Sequence, residues 1–344
     1  MIFGRIAMRA TLATVMAAGM ATAVLAQEVT LKMHQFLPPQ ANVPKLILEP
    51  WAERVEAASD GRIEIEHYPA MQLGGKPPEL ASQVIDGVAD IIWVVAGYTP
   101  GRFPQAEVFE LPFIMTNAEA TSRAYWEFAE KNMMDSDFED FKVLAVWVHG
   151  PGVIHSDRPV TEPSDLNGMK VRGPTRIITG MLGELGATPL GMPVPAIPEA
   201  LSKGVIDGTV IPWEVTAALK IPELVENHTT FGDEALYTTA FIFAMNKEKY
   251  ESLPDDLKAA IDSQSGADMS ALGGKLMAEA DGPAREQAAA RGNNIIDLTP
   301  EQVEEWKAAA ARVERNWIEE MNEKGYDGQA LVDEAKALIA KHTD

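Results

Sequence analysis

The sequence predicts an α/β protein of two similar lobes with long helices at its C-terminal end. Three observations carry this. Strand and helix patterns alternate through the N-terminal half, and the alternation begins again in mid-chain. The roughly 318 residues beyond Ala26 also exceed what one hydrophobic core holds.

The first residues read as a secretory signal. Arg5 and Arg9 precede an apolar stretch from Ala10 to Leu25, and Val24-Leu25-Ala26 supplies the small residues of a cleavage site. Cleavage is expected after Ala26, giving an exported, periplasmic protein. The stretch is too short for a membrane anchor and lacks the amphipathic order of a surface helix.

Val29 to Met33 then reads as a strand. Pro44 opens a helix with Ile47, Trp51, Val55 and Ala58 on one face, and Asp60-Gly61 closes it through a left-handed glycine. Arg62 to Glu66 alternates as a strand, and Leu80 to Val88 is a short helix. Asp90 to Val95 is almost wholly apolar, as in a strand buried on both faces. This order implies a parallel sheet with right-handed crossovers.

In mid-chain the same grammar returns. Met169 to Arg172 is a strand, Thr175 to Leu185 a helix closed by Gly186, and Thr188 to Leu190 a strand. Ile197 to Lys203 is a helix and Gly208 to Ile211 a strand. Gly87-Val88-Ala89-Asp90 and Gly204-Val205-Ile206-Asp207 each join a helix to a strand, a weak echo between the halves. In the last third, Thr299-Pro300-Glu301-Gln302 is a capping box. Val303, Trp306, Ala310, Val313, Trp317 and Met321 follow as an apolar stripe, read as core packing.

Composition excludes several functions. The chain has 29 basic and 51 acidic residues, a net charge of −22, which argues against nucleic acid as a partner. It has no cysteine, so neither a disulfide framework nor a thiolate metal site is available. Phosphate-loop, dinucleotide, nucleophile-elbow and zinc-protease motifs are missing. Of the histidines only His149 and His155 are near each other, and a pair six apart is no metal site. No metal or cofactor is expected.

Asp165-Leu166-Asn167-Gly168-Met169-Lys170-Val171-Arg172-Gly173-Pro174 carries the most information. It places Arg172 at the C-terminal end of a parallel strand, where open α/β sheets bind ligands. A guanidinium there suits a carboxylate held by two hydrogen bonds. Position alone allows equally an arginine in a surface ion pair.

This segment resembles the D-L-x-G-x-K-x-R-x-P signature of DctP-type solute-binding proteins of TRAP transporters. Further landmarks agree in order: Gly61-Arg62, Tyr68-Pro69 with Gln72-Leu73-Gly74, Phe109 to Phe113, Leu185 to Pro189, Ala200-Leu201 to Asp207-Gly208, and Leu253 to Leu257. The resemblance covers roughly residues 28 to 340. It implies the two-lobe periplasmic binding protein fold, closing by a hinge, with a long helix spanning both lobes. It implies that Arg172 pairs with a substrate carboxylate and that the loaded protein meets a small and a large membrane subunit. The divisions expected are 1–26 for the signal peptide, 27–150 with 239–278 for one lobe, and 151–238 with 279–344 for the other. The functional unit is expected to be a monomer, and a binder rather than an enzyme.

Departures from the family pattern bear on the ligand. Sugar-acid binders of the family carry a second arginine where this chain reads His149 to His155 without one. Phe36 stands where a polar residue follows the first strand, Val95 near an acidic position, and Ile211 where asparagine usually precedes proline. Phe36, Trp93 and Trp213 would surround an apolar body while Arg172 holds its acid end. A sugar buried there would lose about 1–3 kcal/mol for each unpaired hydroxyl, whereas a ring gains about 0.5–1.5 kcal/mol per good aromatic pair. A small aromatic or apolar monocarboxylate is therefore expected. Trp93 is equally readable as core, and Trp213, after Pro212 in a loop, as facing the cleft. Glu214 would meet a ligand hydroxyl or amine, or Arg176. Arg176 would support the carboxylate or cap a solvent face. Tyr98 and Tyr237 are rim or hinge candidates. The alternatives are a polar hydroxy or sugar acid in the same fold, a hydrolase using His149 or His155, and a sensor feeding a signalling partner.

Overall fold

A computed structural model describes residues 27–343; the expected signal peptide of residues 1–26 lies outside them. The strands are β1 (Val29–His34), β2 (Ile63–Tyr68), β3 (Ile91–Val95), β4 (Phe141–Val148), β5 (Val153–Ser156), β6 (Lys170–Gly173), β7 (Thr188–Gly191), β8 (Gly208–Ile211), β9 (Asn227–Thr230), β10 (Ala240–Asn246) and β11 (Asn294–Asp297). They build two sheets, ordered β2-β1-β3-β10-β4 and β11-β9-β5-β8-β6-β7. The protein is α/β with two lobes, as its sequence predicts.

Each sheet contains the expected parallel triplet, β2-β1-β3 in one and β7-β6-β8 in the other. Neither sheet is wholly parallel, which corrects the sequence reading. β10 runs antiparallel between β3 and β4, and β5 antiparallel between β8 and β9. The cause is the route of the chain. β5 and β10 are each the first strand after a crossing, and each enters its new sheet at the carboxyl end of the parallel strands. From there only the reverse direction is open.

The echo between the halves is a real structural repeat. Gly87 and Gly204 take φ of 71° and 65°. The next acids then do the same work twice. Asp90 accepts from the Lys32 amide at 2.7 Å and donates its own amide to the Lys32 carbonyl at 2.9 Å. Asp207 makes the same two bonds with Lys170, both at 2.8 Å. Each acid's carbonyl accepts from the antiparallel strand side, from Asn246 at 2.8 Å and Asp157 at 3.0 Å. Each thus ties a parallel strand to its neighbour at the end away from the cleft.

Helices cover the sheets. The helix Glu49–Ala58, entered through a wide turn at Pro44–Leu48, buries Ile47, Trp51 and Val55, while Ala58 is exposed at its end. The 24-residue helix Pro300–Glu323 starts at the expected capping box and buries all six residues of the apolar stripe. It is roughly 36 Å long and reaches both lobes: Trp306 packs edge-on against Phe231 at 5.2 Å, and Trp317 donates to Glu107 at 3.2 Å.

The C-terminal helix Gly328–Thr343 departs from expectation. It leaves the second lobe and packs on the helix Ala118–Asn132 beside the first sheet. Glu334 pairs with Lys131 and accepts from Asn132 at 3.2 Å, and His342 meets Glu127 at 2.8 Å. A strip of buried Leu331, Val332, Ala335 and Ile339 drives this return. Upstream, the helix Ala267–Glu279 packs on β4, whereas its successor Asp281–Ala290 packs on the turn at Trp213–Val215. The change of side falls at Ala280. Among the described residues no helix is long and apolar enough to cross a membrane.

Candidate ligand-binding site

Arg172 is the third residue of β6, in register with Leu190 of β7 and Thr209 of β8. Flanked by strands on both sides, its side chain is 1% exposed. Nε donates to the Met192 carbonyl at 2.8 Å and Nη1 to the Val210 carbonyl at 3.1 Å. The two carbonyls fix the plane of the guanidinium. Nη2 is buried and has no partner, and the residue lines a cavity of ≈ 390 Å³ of open space between the sheets. No carboxylate among the described residues pairs with this cation; burial lowers its pKa and the nearby Tyr98 and Tyr237 oppose that. An unpaired buried charge costs several kcal/mol, and an anion in the cavity would remove that cost.

The facing wall is aromatic. Trp93 stacks on Phe36 at 4.8 Å and on Phe241 at 4.8 Å, with interplanar angles of 15° and 20°. All three rings line the cavity. Trp93 also stacks toward Trp147 at 6.1 Å, so it is both core and wall. The two readings open for Trp93 therefore meet in one ring. Alternation along β3 and β10 brings Trp93 and Phe241 to the same face.

Tyr98 and Tyr237 are both buried in the cavity wall, and Tyr237 belongs to the segment that crosses between β9 and β10. The Tyr98 hydroxyl accepts from the Val194 amide at 2.9 Å, across the gap between the sheets. Tyr237 covers the crossing at Gly152, where a Cβ would stand 2.0 Å from its ring. Only glycine fits there. Both tyrosines line the cavity, and burial raises both hydroxyls' pKa values.

Glu214 also lines the cavity and is 2% exposed. Its amide donates to Asp281 at 2.8 Å and its carbonyl accepts from Asn42 at 2.6 Å, but its Oε2 is buried without a partner. Burial, then the nearby Asp281, pushes its carboxyl up to about 8. It does not meet Arg176.

Two expected site residues lie elsewhere. Arg176 is outside the cavity: it forks onto Glu107, with Nε to Oε1 at 2.5 Å, and reaches Glu320 at 2.6 Å. Burial alone would lower its pKa, but these two partners raise it. At the first position of its helix, Arg176–Glu184, it reaches the seam with the helix Pro300–Glu323 and does not line the cavity. Trp213 is 4% exposed and packs behind the wall against His155 at 5.1 Å and His228 at 5.0 Å, with Val153, Ala284 and Ala288 around it. The tight turn after Pro212 sends Trp213 and Glu214 to opposite sides, so only one can face the cavity.

His149 and Thr239 also line the cavity; the sequence pointed to His149 only as the base of a hydrolase and not at all to Thr239. His149 Nδ1 lies 2.5 Å from the Gly150 carbonyl, so Nδ1 carries the proton and Nε2 accepts from the Thr239 hydroxyl at 3.0 Å. Burial pushes this imidazole down to about 4, and it is neutral at pH 7. A neutral histidine thus occupies the stretch where sugar-acid binders place a second arginine. The signal was present in that substitution. His155 has separate partners, His228 at 2.7 Å and the Ile211 carbonyl at 3.2 Å. Among the described residues no group of three metal-binding side chains converges.

Comparison with known proteins agrees with this geometry. The family described as "Bacterial extracellular solute-binding protein, family 7", DctP, matches residues 34–320. The chain belongs to the DctP family. It is a TRAP solute-binding protein, as its motif suggested. Among relatives of the DctP chain, an outer membrane transporter protein, TsaT, of Comamonas testosteroni is 27% identical over 92% of this chain and 93% of its own length. A TRAP solute-binding protein of Rhodoferax ferrireducens, solved with copurified benzoate, is 51% identical with a TM-score of 0.90 over 91% of this chain and 98% of that one. A marine metagenome protein specific for aromatic acids, solved with 3-hydroxybenzoate, is 52% identical with a TM-score of 0.90 over 93% and 100%. A Bordetella bronchiseptica protein with bound mandelate is 26% identical with a TM-score of 0.83 over 91% and 99%. These DctP-type proteins are binding receptors.

Proposed function

We propose that this protein captures a small aromatic monocarboxylate by closure of its lobes and delivers it to the two TRAP membrane subunits. The observation that carries the reading is the unpartnered Nη2 of Arg172, buried in a cavity walled by Phe36, Trp93 and Phe241. The guanidinium takes the carboxylate; the stacked rings take the ring. Relatives solved with benzoate, 3-hydroxybenzoate and mandelate support the same ligand class.

The protein acts as an exported periplasmic monomer, with its signal peptide removed after Ala26. Its lobes are residues 27–150 with 239–278 and 328–343, and residues 151–238 with 279–327. It is a carrier without catalysis. His149 and Thr239 resemble a base and a nucleophile in spacing, but an imidazole pushed down to about 4 is a weak base at pH 7, and its other nitrogen meets a carbonyl rather than a carboxylate.

Calorimetric titration with benzoate tests the reading. Wild type should bind, and saturation at 100 times Kd should add about 2.7 kcal/mol of stability. Arg172→Ala should lose binding at least a hundredfold while keeping a cooperative melt. Binding by Arg172→Ala within twofold of wild type would sink the mechanism. A melting shift with sugar acids alone would overturn the aromatic ligand.

A further inference from the structure

Three residues around the cavity each hold a buried polar atom without a partner: Arg172 Nη2, Trp93 Nε1 and Glu214 Oε2. Arg172 is accounted for by the ligand carboxylate. A plain aromatic acid has no other polar group, and it would leave Glu214 Oε2 without a partner. Each buried polar atom without a partner costs about 1–3 kcal/mol. Such a group favours a ligand that satisfies it over one that does not.

The position of Glu214 is built rather than incidental. Its backbone is clamped on both sides, by Asp281 at the amide and Asn42 at the carbonyl. The turn that packs Trp213 against Val153, Ala284 and Ala288 leaves Glu214 lining the cavity. We propose that Glu214 is a specificity residue that recognises a hydroxyl on the aromatic ring, making hydroxylated aromatic acids the preferred ligands. This rests on the reading of the ligand as an aromatic monocarboxylate.

The chemistry favours a hydroxyl. Glu214 is held protonated at neutral pH, so it meets the anionic ligand without repulsion and can donate as well as accept. A phenolic hydroxyl does both in return. A cationic amine would sit in the same cavity as the Arg172 guanidinium, which disfavours it.

The test is a ratio of dissociation constants, benzoate over the best of 2-, 3- and 4-hydroxybenzoate, measured by calorimetry at pH 7. Wild type should favour one hydroxylated isomer at least tenfold. Glu214→Leu should bring the ratio to within about twofold of unity, and the near-isosteric Glu214→Gln, which keeps hydrogen-bonding atoms, should retain most of it. A wild-type ratio near one, with benzoate bound, overturns this proposal and leaves the aromatic-acid reading standing. A ratio that survives Glu214→Leu overturns it too. Binding of none of the four acids overturns both readings.

Discussion

Thr175 donates its hydroxyl to Glu110 Oε2 at 2.6 Å, joining the residue that caps the helix after Arg172 to the segment between β3 and β4. Glu110 is wholly buried, and its Oε1 accepts from the Ala240 amide at 3.2 Å. Gly97 presses against the same threonine so closely that a Cβ would stand 2.5 Å from it. The strand that carries Arg172 is thereby fastened to the facing lobe through the Glu110 carboxyl.

Thr175→Val should loosen that fastening. It removes the donor and leaves Glu110 Oε2 buried and unpaired, a cost of about 1–3 kcal/mol. Benzoate affinity should fall roughly tenfold or more, and solution scattering should report a larger radius in the absence of ligand. Thr175→Ser should remain near wild type. Equal affinities for all three proteins would remove the latch from the account.

The pH dependence has a definite sign. Burial pushes Glu110 and Glu214 up to about 8 and Asp281 up to about 7. Their folded forms hold protons that the unfolded chain releases above about 4.5, so stability from these groups is full below that pH and declines as pH rises through the folded values. His149 and His228, pushed down to about 4, act oppositely, adding stability between about 4 and 6.5. Above about pH 7 the histidines of the unfolded chain have mostly lost their protons, and the carboxyls dominate. The melting temperature should therefore fall from about pH 7 to 8, and Glu110→Gln should flatten the slope. A flat wild-type profile over this interval would contradict the assignment.

Arg176 holds the seam rather than the ligand. Arg176→Met leaves Glu107, 4% exposed, without its cation and keeps only the Trp317 donor at 3.2 Å. Because Arg176 itself is partly exposed, the loss should be about 2–3 kcal/mol, below that of a wholly buried pair. Chemical denaturation would read it. The ratio of affinities among aromatic acids should not move; a changed ratio would return Arg176 to the ligand site.

Phe36 and Trp213 separate wall from scaffold. Phe36→Leu removes the ring stacked on Trp93 at 4.8 Å, and benzoate affinity should fall about tenfold. Trp213→Phe, behind the wall, should alter it less than about threefold. The reverse order of effects would restore Trp213 to the cavity.

Much of the fold is legible in local pattern, because the parallel triplets are built from neighbours in sequence. Lys170 to Gly173 is readable as a strand ending on Arg172, and Asp90 and Asp207 betray the internal repeat even though each is a single acid after a helix. What local pattern does not contain is the crossings. β5 and β10 enter sheets whose other strands are distant in sequence, so their reversed direction is not written in their own residues. The C-terminal helix fails for the same reason, since its apolar strip fits either lobe. At the site, strand position leaves Arg172 open between a ligand contact and a surface ion pair, and the resemblance of its motif decides between them; Phe36 and Trp93 are noticed from residue type. Trp213 misleads because a tight turn sends alternate residues to opposite sides, and Glu214 lines the cavity while Trp213 packs behind it. His149 is hidden because its role depends on Thr239, 90 residues away.

The chain passes between the two sheets at 149–152, 231–239, 280 and again near 324–327. Neither half of the cavity is therefore a contiguous stretch of gene. A recombination with one breakpoint would join strands that had never been packed together, and no single proteolytic cut would release an intact half. New ligand preferences in such a protein must arise by substitutions scattered around the cavity, not by inheritance of a ready-made module.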